Sequence, residues 1–280
     1  MDLLEKTQRR ILFVIRKVLG IRPRNSDEEL RRLSWLRNLP SAKPGKVKWH
    51  ERQLFYADAE ALYSQLNEVF VQKQYDFASV HKSPNLIDCG AHVGLVSLRW
   101  RQLFPDASII AIEADPAIGD LLRKNLESAN VKVIQKAAWT DKQGVFFRSS
   151  GSDNGNVDLS ARTGTKIPSF DLADIINETV EFLKMDVEGC EYILLRNLAD
   201  KGKLNKVLRL VVEFHHWDSD ENPLPGALSL LAENGFDCRI LSSVLFKKQN
   251  TPPFSENGWA HSHVVVAAKR KTIKEINTIS

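Results

Sequence analysis

The stretch Leu86-Ile87-Asp88-Cys89-Gly90-Ala91-His92-Val93-Gly94 decides the fold of this chain. Two aliphatic residues run into an aspartate, two glycines bracket the next few positions, and a helical pattern from Val93 to Phe104 follows. That order reads as a short buried strand, a tight turn and an opening helix. Gly90 and Gly94 let backbone approach a ligand with no Cβ in the way, and the opening helix presents free N–H groups. The layout is that of a nucleotide-binding turn at the carboxyl end of a sheet's first strand.

Working outward, strands over 108–113, 131–138, 180–185 and 207–214 alternate with helices over 117–129, 171–177 and 191–198. Such alternation predicts βαβ units, hence a Rossmann-like α/β fold with a mostly parallel sheet covered on both faces. After a helix over 227–234, two β-rich stretches, 237–247 and 261–269, are expected to form an antiparallel pair at the sheet edge. Before the turn lie strand-like sequence over 47–56 and a helix over 58–74 with Leu62, Leu66, Val69 and Phe70 at helical spacing. Residues 148–166 are rich in Ser, Gly and Asn, the composition of a lid or acceptor-shaping loop.

The amino terminus differs in character. Residues 1–50 hold 13 Lys/Arg against 5 Asp/Glu, whereas the remainder holds 26 against 30. Expected organisation is a basic helical extension over 1–45, one domain over 46–270 and a solvated tail over 271–280. The extension contains a helix over 3–19, then a second helix announced by the capping box Ser26/Glu29 and running to Asn38. With Ile11–Ile15 beside Arg9, Arg10, Arg16 and Lys17, the helix over 3–19 suits peripheral contact with an anionic membrane, or docking on the core or a partner. The acidic body argues against a nucleic-acid partner. Three cysteines, Cys89, Cys190 and Cys238, make no disulfide framework and point to a reducing, cytoplasmic setting. No apolar run is long enough to span a bilayer, and no cleavage site for a signal peptide follows Ile15. No Cys/His pair has zinc-ligand spacing.

Two further strand ends carry chemistry. A dinucleotide site wants Gly-x-Gly-x-x-Gly, but here Asp88 leads and the third glycine is missing. An acidic lead repels pyrophosphate and suits a ligand with a cationic end, such as the ammonium and sulfonium of S-adenosylmethionine. Ile109-Ile110-Ala111-Ile112-Glu113 then ends a strand in a carboxylate able to accept both hydroxyls of a ribose. Asp115 could do the same, although its place before Pro116 suits a helix start. Finally, Phe182-Leu183-Lys184-Met185-Asp186-Val187-Glu188-Gly189-Cys190-Glu191 crowds carboxylates at one turn, which suits catalysis or a cationic ligand.

These residues resemble a known family. The turn Ile87–Gly94 is similar to motif I of class I S-adenosylmethionine-dependent methyltransferases. Lys184–Glu191 resembles the Lys-x-Asp-x-Glu-Gly-x-Glu hallmark of the FkbM-type members. Glu113-Ala114-Asp115-Pro116, Ser169-Phe170-Asp171 and Val211-Val212-Glu213-Phe214-His215 follow in the same order. The family usually has Glu-Pro-x-Pro and Leu-Asp at the first two, and neither departure removes a polar atom the site needs. The likeness covers about residues 75–240 and leaves 1–45 unexplained.

The resemblance implies S-adenosylmethionine bound over the sheet edge and O-methylation of a hydroxyl on a sugar, polysaccharide or natural-product acceptor. It assigns the donor to Asp88, Gly90, Ala91, His92, Gly94, Glu113, Ala114 and Ala138. Catalytic candidates are Asp186, Glu188, Glu213, His215 and His216, with His215 the first choice as general base because its ordinary pKa lies near neutrality. A divalent metal held by Asp186, Glu188 and Glu213 is an open alternative with no ligand assigned. A nicotinamide-dependent oxidoreductase and a non-catalytic adaptor are the competing readings. The first is opposed by Asp88 and the missing glycine, the second by the intact carboxylates.

Overall fold

The computed structural model describes residues 25–39, 43–149, 155–158, 164–216, 224–245 and 262–271. The helix expected over 3–19 and the tail beyond 271 lie outside the described residues. In chain order the framework contains helices α1 (Asn25–Arg32) and α2 (Ala59–Leu66), then β1 (Asn85–Cys89), α3 (Leu95–Leu103), β2 (Ser108–Glu113), α4 (Pro116–Leu126) and β3 (Lys132–Gln135). It continues with β4 (Val180–Met185), α5 (Glu191–Asp200), β5 (Val207–His216), α6 (Leu224–Glu233), β6 (Phe236–Leu245) and β7 (Ser262–Arg270). The seven strands form one sheet in the order β6-β7-β5-β4-β1-β2-β3. Six run in one direction, and β7 lies antiparallel between β5 and β6. The expected antiparallel pair therefore exists, but β7 is interior and only β6 forms the edge.

Strand alternation builds two cores. Leu86, Ala111, Phe182 and Val211 point to the face that packs on α2, α3 and α4. Ile87, Ile112, Leu183 and Val212, one residue on, point to the face covered by α5 and α6. Side chains on a strand change face at every residue, so one register decision assigns every residue of these strands to a face.

Several expectations are corrected. The third strand splits: Lys132–Gln135 pairs with β2, whereas Ala137–Trp139 leaves the sheet to pair with Ser169–Asp171. Residues 171–177 form only a short 3-10 turn, Leu172–Ile175, with Asp171 as its cap. The helix over 58–74 is α2 capped by Asp58, then a wider π-type turn, Asn67–Gln72, stopped at Lys73. Residues 45–56 form a hairpin, Gly45–Trp49 with Arg52–Tyr56. Ser26 lies inside α1, which starts at Asn25, so it is not the cap residue. Nor does residue 45 mark a break in packing: Leu30, Leu33 and Leu36 are buried in the same cluster as Leu54 and Leu62. Described residues of the expected lid join a small antiparallel sheet of Val145–Arg148, Asn156–Val157 and Thr165–Ile167.

Candidate functional site

At the carboxyl ends of β1, β2, β4 and β5 the structure opens a cavity of about 240 Å³. The glycine turn forms its base. Gly90 N and Ala91 N donate to the Ile112 carbonyl at 3.0 and 2.8 Å, so these amides are consumed in tying β1 to β2. Both glycines answer to protein neighbours. A Cβ on Gly90 would lie 1.7 Å from the Asp186 carbonyl oxygen, and one on Gly94 would meet Leu122 at 2.8 Å. Gly90 still borders the cavity, whereas Gly94 and Ala91 do not.

Asp88 is likewise absent from the cavity wall. It shares a face with Leu86 and is fully buried beneath α3, where Ser97 N (3.1 Å) and Ser97 Oγ (2.7 Å) donate to it. Its register partner on β4 is Lys184, whose ammonium lies 3.8 Å from Asp88 Oδ1 and 3.0 Å from Asp186 Oδ2. The same ammonium donates to the Gly90 carbonyl. The expectation that Asp88 faces a ligand's cationic end thus meets a protein cation instead. Burial pushes the Asp88 carboxyl up despite Lys184 and Ser97. Burial also opposes charge on Lys184, but Asp186 and Asp88 outweigh it and raise its pKa.

Glu113 does line the cavity. Its two oxygens accept His92 N and Asp115 N, both at 2.9 Å, which fixes the carboxylate while leaving each oxygen a further lone pair. Burial pushes its pKa up to about 7, against the pull of those two amides. Asp115 caps α4 through Ala117 N at 2.9 Å, the helix-start role its place before Pro116 predicts. Ala114 and Ala138 also border the cavity, and with Ile112 and Ala137 they give it an apolar lining.

The same cavity holds a cluster of charges. Glu213 and His215 point to one face of β5, as their two-residue spacing requires. His215 Nε2 lies 3.9 Å from Asp186, 3.6 Å from Glu188 and 3.7 Å from Glu213. Its Nδ1 meets Glu191 Oε1 at 2.9 Å. Burial opposes the imidazolium, but Glu191 and the surrounding carboxylates win and raise His215 to about 10. Burial raises Glu188 and Glu213 to about 8 each; His215 lowers both, and neighbouring carboxylates add to the rise. Asp186 is shifted down, because Lys184 and His215 overcome its burial. His215 is therefore protonated at neutral pH, which removes the reason for choosing it as base. The side chain of His216 lies outside the described residues. Asp186, Glu188 and His215 can each bring one ligand atom within 4.8 Å of the others. A proton on Nε2 opposes coordination, and no metal ligand is assigned.

Two further walls carry none of the named site residues, although the second draws on the 148–166 segment expected to shape the acceptor side. Ala61 and Ser64 of α2, with Gln65 and Glu68, face the turn, and Gln65 meets His92 Nδ1 at 2.8 Å. Phe147, Gly155 and Val157 close the side nearest the Ser/Gly/Asn-rich segment. Gln65 and Glu68 left no signal beyond their polar place on a helix. Lys184 did: a lysine inside a buried apolar strand needs a partner. Two non-glycine residues bordering the cavity, His92 (φ +48°) and Glu188 (φ +55°), occupy the left-handed region, a strain that concentrates at functional sites.

A parallel sheet with an antiparallel seventh strand, a glycine turn after β1 and acidic residues after β2 and β4 defines a methyltransferase of the Rossmann-like class. The profile of the Methyltransferase FkbM domain matches residues 88–238, and the chain belongs to that family. Among curated proteins it is 25% identical to "Methyltransferase sdnD" of Sordaria araneosa, over 67% of this chain and 87% of that one. It is also 25% identical to "Methyltransferase 1" of Beauveria bassiana (strain ARSEF 2860), over 55% of this chain and 69% of that one. A solved structure of Methyltransferase FkbM from Methylobacillus flagellatus KT aligns with TM-score 0.44 and 16% identity, over 74% of this chain and 54% of the other.

Proposed function

We propose that this methyltransferase takes its methyl group from S-adenosylmethionine and transfers it to a hydroxyl of a sugar, polysaccharide or natural-product acceptor. The observation that carries the reading is that Glu113 and the Asp186/Glu188/Glu213/His215 cluster line one cavity. When bound, the donor supplies a methyl on a cationic sulfur.

The chain's residues suit that group. The lone pairs left on Glu113 can accept two vicinal hydroxyls, and Ile112, Ala137 and Ala138 offer an apolar bed for a planar ring. Asp186, held ionised by Lys184, places a fixed anion in the same cavity, complementary to a sulfonium. An aliphatic hydroxyl needs to lose its proton as it attacks. His215 already carries its proton, so we assign the base to the carboxylates Glu188 and Glu213. At about 8 both hold their protons at neutral pH, and a cation entering the cavity lowers them, so donor binding readies the base. Polar lining by Ser64, Gln65 and Glu68 suits a hydroxylated acceptor.

The test has two parts. Calorimetry should detect S-adenosylmethionine and S-adenosylhomocysteine binding and no NADH binding. Incubation with donor carrying a tritiated methyl group, across a panel of sugars, glycans and polyketide alcohols, should label at least one hydroxyl. Binding of NADH alone would return the oxidoreductase reading, and donor binding with no labelled acceptor would favour the adaptor.

A further inference from the structure

One buried carboxylate of this region takes no part in the chemistry above. Glu191, the first residue of α5, is 1% exposed, and all of its observed donors lie outside its own helix. Val187 N and Gly189 N donate to it at 3.1 Å, Gly189 reaching both oxygens. His215 Nδ1, from β5, approaches at 2.9 Å. An ordinary acidic residue at a helix start would serve the first-turn amides of that helix. Glu191 instead joins the turn after β4 to the end of β5.

The residue between its two amide donors is Glu188, at φ +55°. A non-glycine residue holds that conformation only where its surroundings over-determine it. Gripping the amides on either side of Glu188 does so, and it aims the Glu188 carboxylate into the cavity. The same oxygen fixes the imidazole edge-on, so that Nε2 faces Asp186, Glu188 and Glu213 at 3.6–3.9 Å. We infer that Glu191 is a positioning residue for methyl transfer, a buried clamp that sets Glu188 and the His215 ring in register with each other. This role rests on the acceptor-side reading given above.

The full-length protein uniformly labelled with 15N tests it, with S-adenosylmethionine as the only ligand probe in the binding arm. In the wild type the His215 Nδ1 proton should be seen far downfield, assigned by its loss in His215→Gln, and the amides of Val187 and Gly189 should exchange slowly. Glu191→Ala should lose the ring proton, speed both amides by about tenfold or more, and leave donor affinity within about threefold. Glu191→Gln keeps an accepting oxygen and should restore most amide protection while moving the ring proton upfield. On any acceptor labelled in the panel, Glu191→Ala should lower kcat by about 10²-fold at unchanged donor KM, with partial recovery in Glu191→Gln. An unchanged ring proton and unchanged exchange in Glu191→Ala would overturn the clamp. So would a loss of turnover that appears wholly in donor KM. Should Glu191→Ala fail to fold, the ring-proton shift in Glu191→Gln decides. These resonance readouts need no acceptor, so failure of the methyl-transfer reading, seen as no donor binding, is distinguishable from failure of the clamp.

Discussion

At its amino end strand β4 carries Glu181, and at its carboxyl end it runs into Asp186 and Glu188. Both ends are acidic, the first buried and the second half-buried, and they are furnished differently. Glu181 is fully enclosed and saturated: Val80 N at 2.6 Å, Ser79 Oγ at 2.9 Å, His81 Nδ1 at 2.7 Å and Arg209 Nη1 at 3.0 Å all meet its two oxygens. At the other end Glu188 sits in a left-handed backbone with Oε2 out of contact with water and at 3.6 Å from its nearest cation, too far for a hydrogen bond. The first arrangement spends donors to make a charge inert. The second leaves one Glu188 oxygen without a hydrogen bond, at a backbone cost, and that is where a ligand's own charge and hydroxyls have something to gain.

The comparison can be broken at several points. The largest effect should come from Arg209→Met, which strands Glu181 without its buried cation. We expect about 3–5 kcal/mol lost from unfolding stability in urea, with donor affinity kept by the protein that remains folded. Equal loss of stability from Asp186→Asn would erase the distinction between the two ends. Next in size, Glu113→Ala should weaken S-adenosylmethionine binding by roughly 10²-fold in calorimetry, the equivalent of about 3 kcal/mol for a charge-assisted bidentate contact. Unaltered affinity would remove Glu113 from the donor site. Smaller still, Glu188→Gly relieves the left-handed strain and should raise stability by about 1 kcal/mol, while turnover on a labelled acceptor falls by about 10²-fold or more.

Proton linkage sharpens the contrast further. Glu188 and Glu213, raised to about 8, and His215, raised to about 10, all bind protons more tightly folded than unfolded. The two glutamates should therefore cost the ligand-free protein stability as pH climbs from their ordinary 4.5 through about 8. His215 adds a contribution that is complete below its ordinary 6.5 and lost as pH rises through about 10. Melting temperature should decline across that span, and His215→Gln should flatten its upper part. The smallest signal should be in binding itself. With Glu113 at about 7 and a sulfonium favouring ionised carboxylates, S-adenosylmethionine should release a fraction of a proton near pH 7. Calorimetry in buffers of different ionisation heat would detect it, and S-adenosylhomocysteine, with its neutral sulfur, should release less.

Much of this protein is legible without coordinates. The strand–turn–helix order at Leu86–Gly94, the acidic ends of β2 and β4 and the antiparallel pairing of β6 with β7 follow from local rules. Apolar alternation, glycine tolerance of left-handed backbone and the preference of Asp-Pro for a helix start each act over a handful of residues. The spacing of Glu213 and His215 put both on one face for the same reason. Motif spacing could not say where the aspartate of the glycine turn points. Asp88 lies beneath α3, where Ser97 donates to it, and its partner Lys184 arrives from a strand far along the chain.

Local chemistry thus determined the class of fold and the carboxylates gathered at one sheet edge, since each signal lies within a single strand and its turn. Tertiary structure alone decided their roles. The charge on His215 depends on Glu191, Glu188 and Asp186 arriving from other elements. The cavity's outer wall comes from α2, which precedes every recognisable motif. A pKa and a cavity are properties of groups brought together by burial, and burial sums contributions that no window of sequence contains.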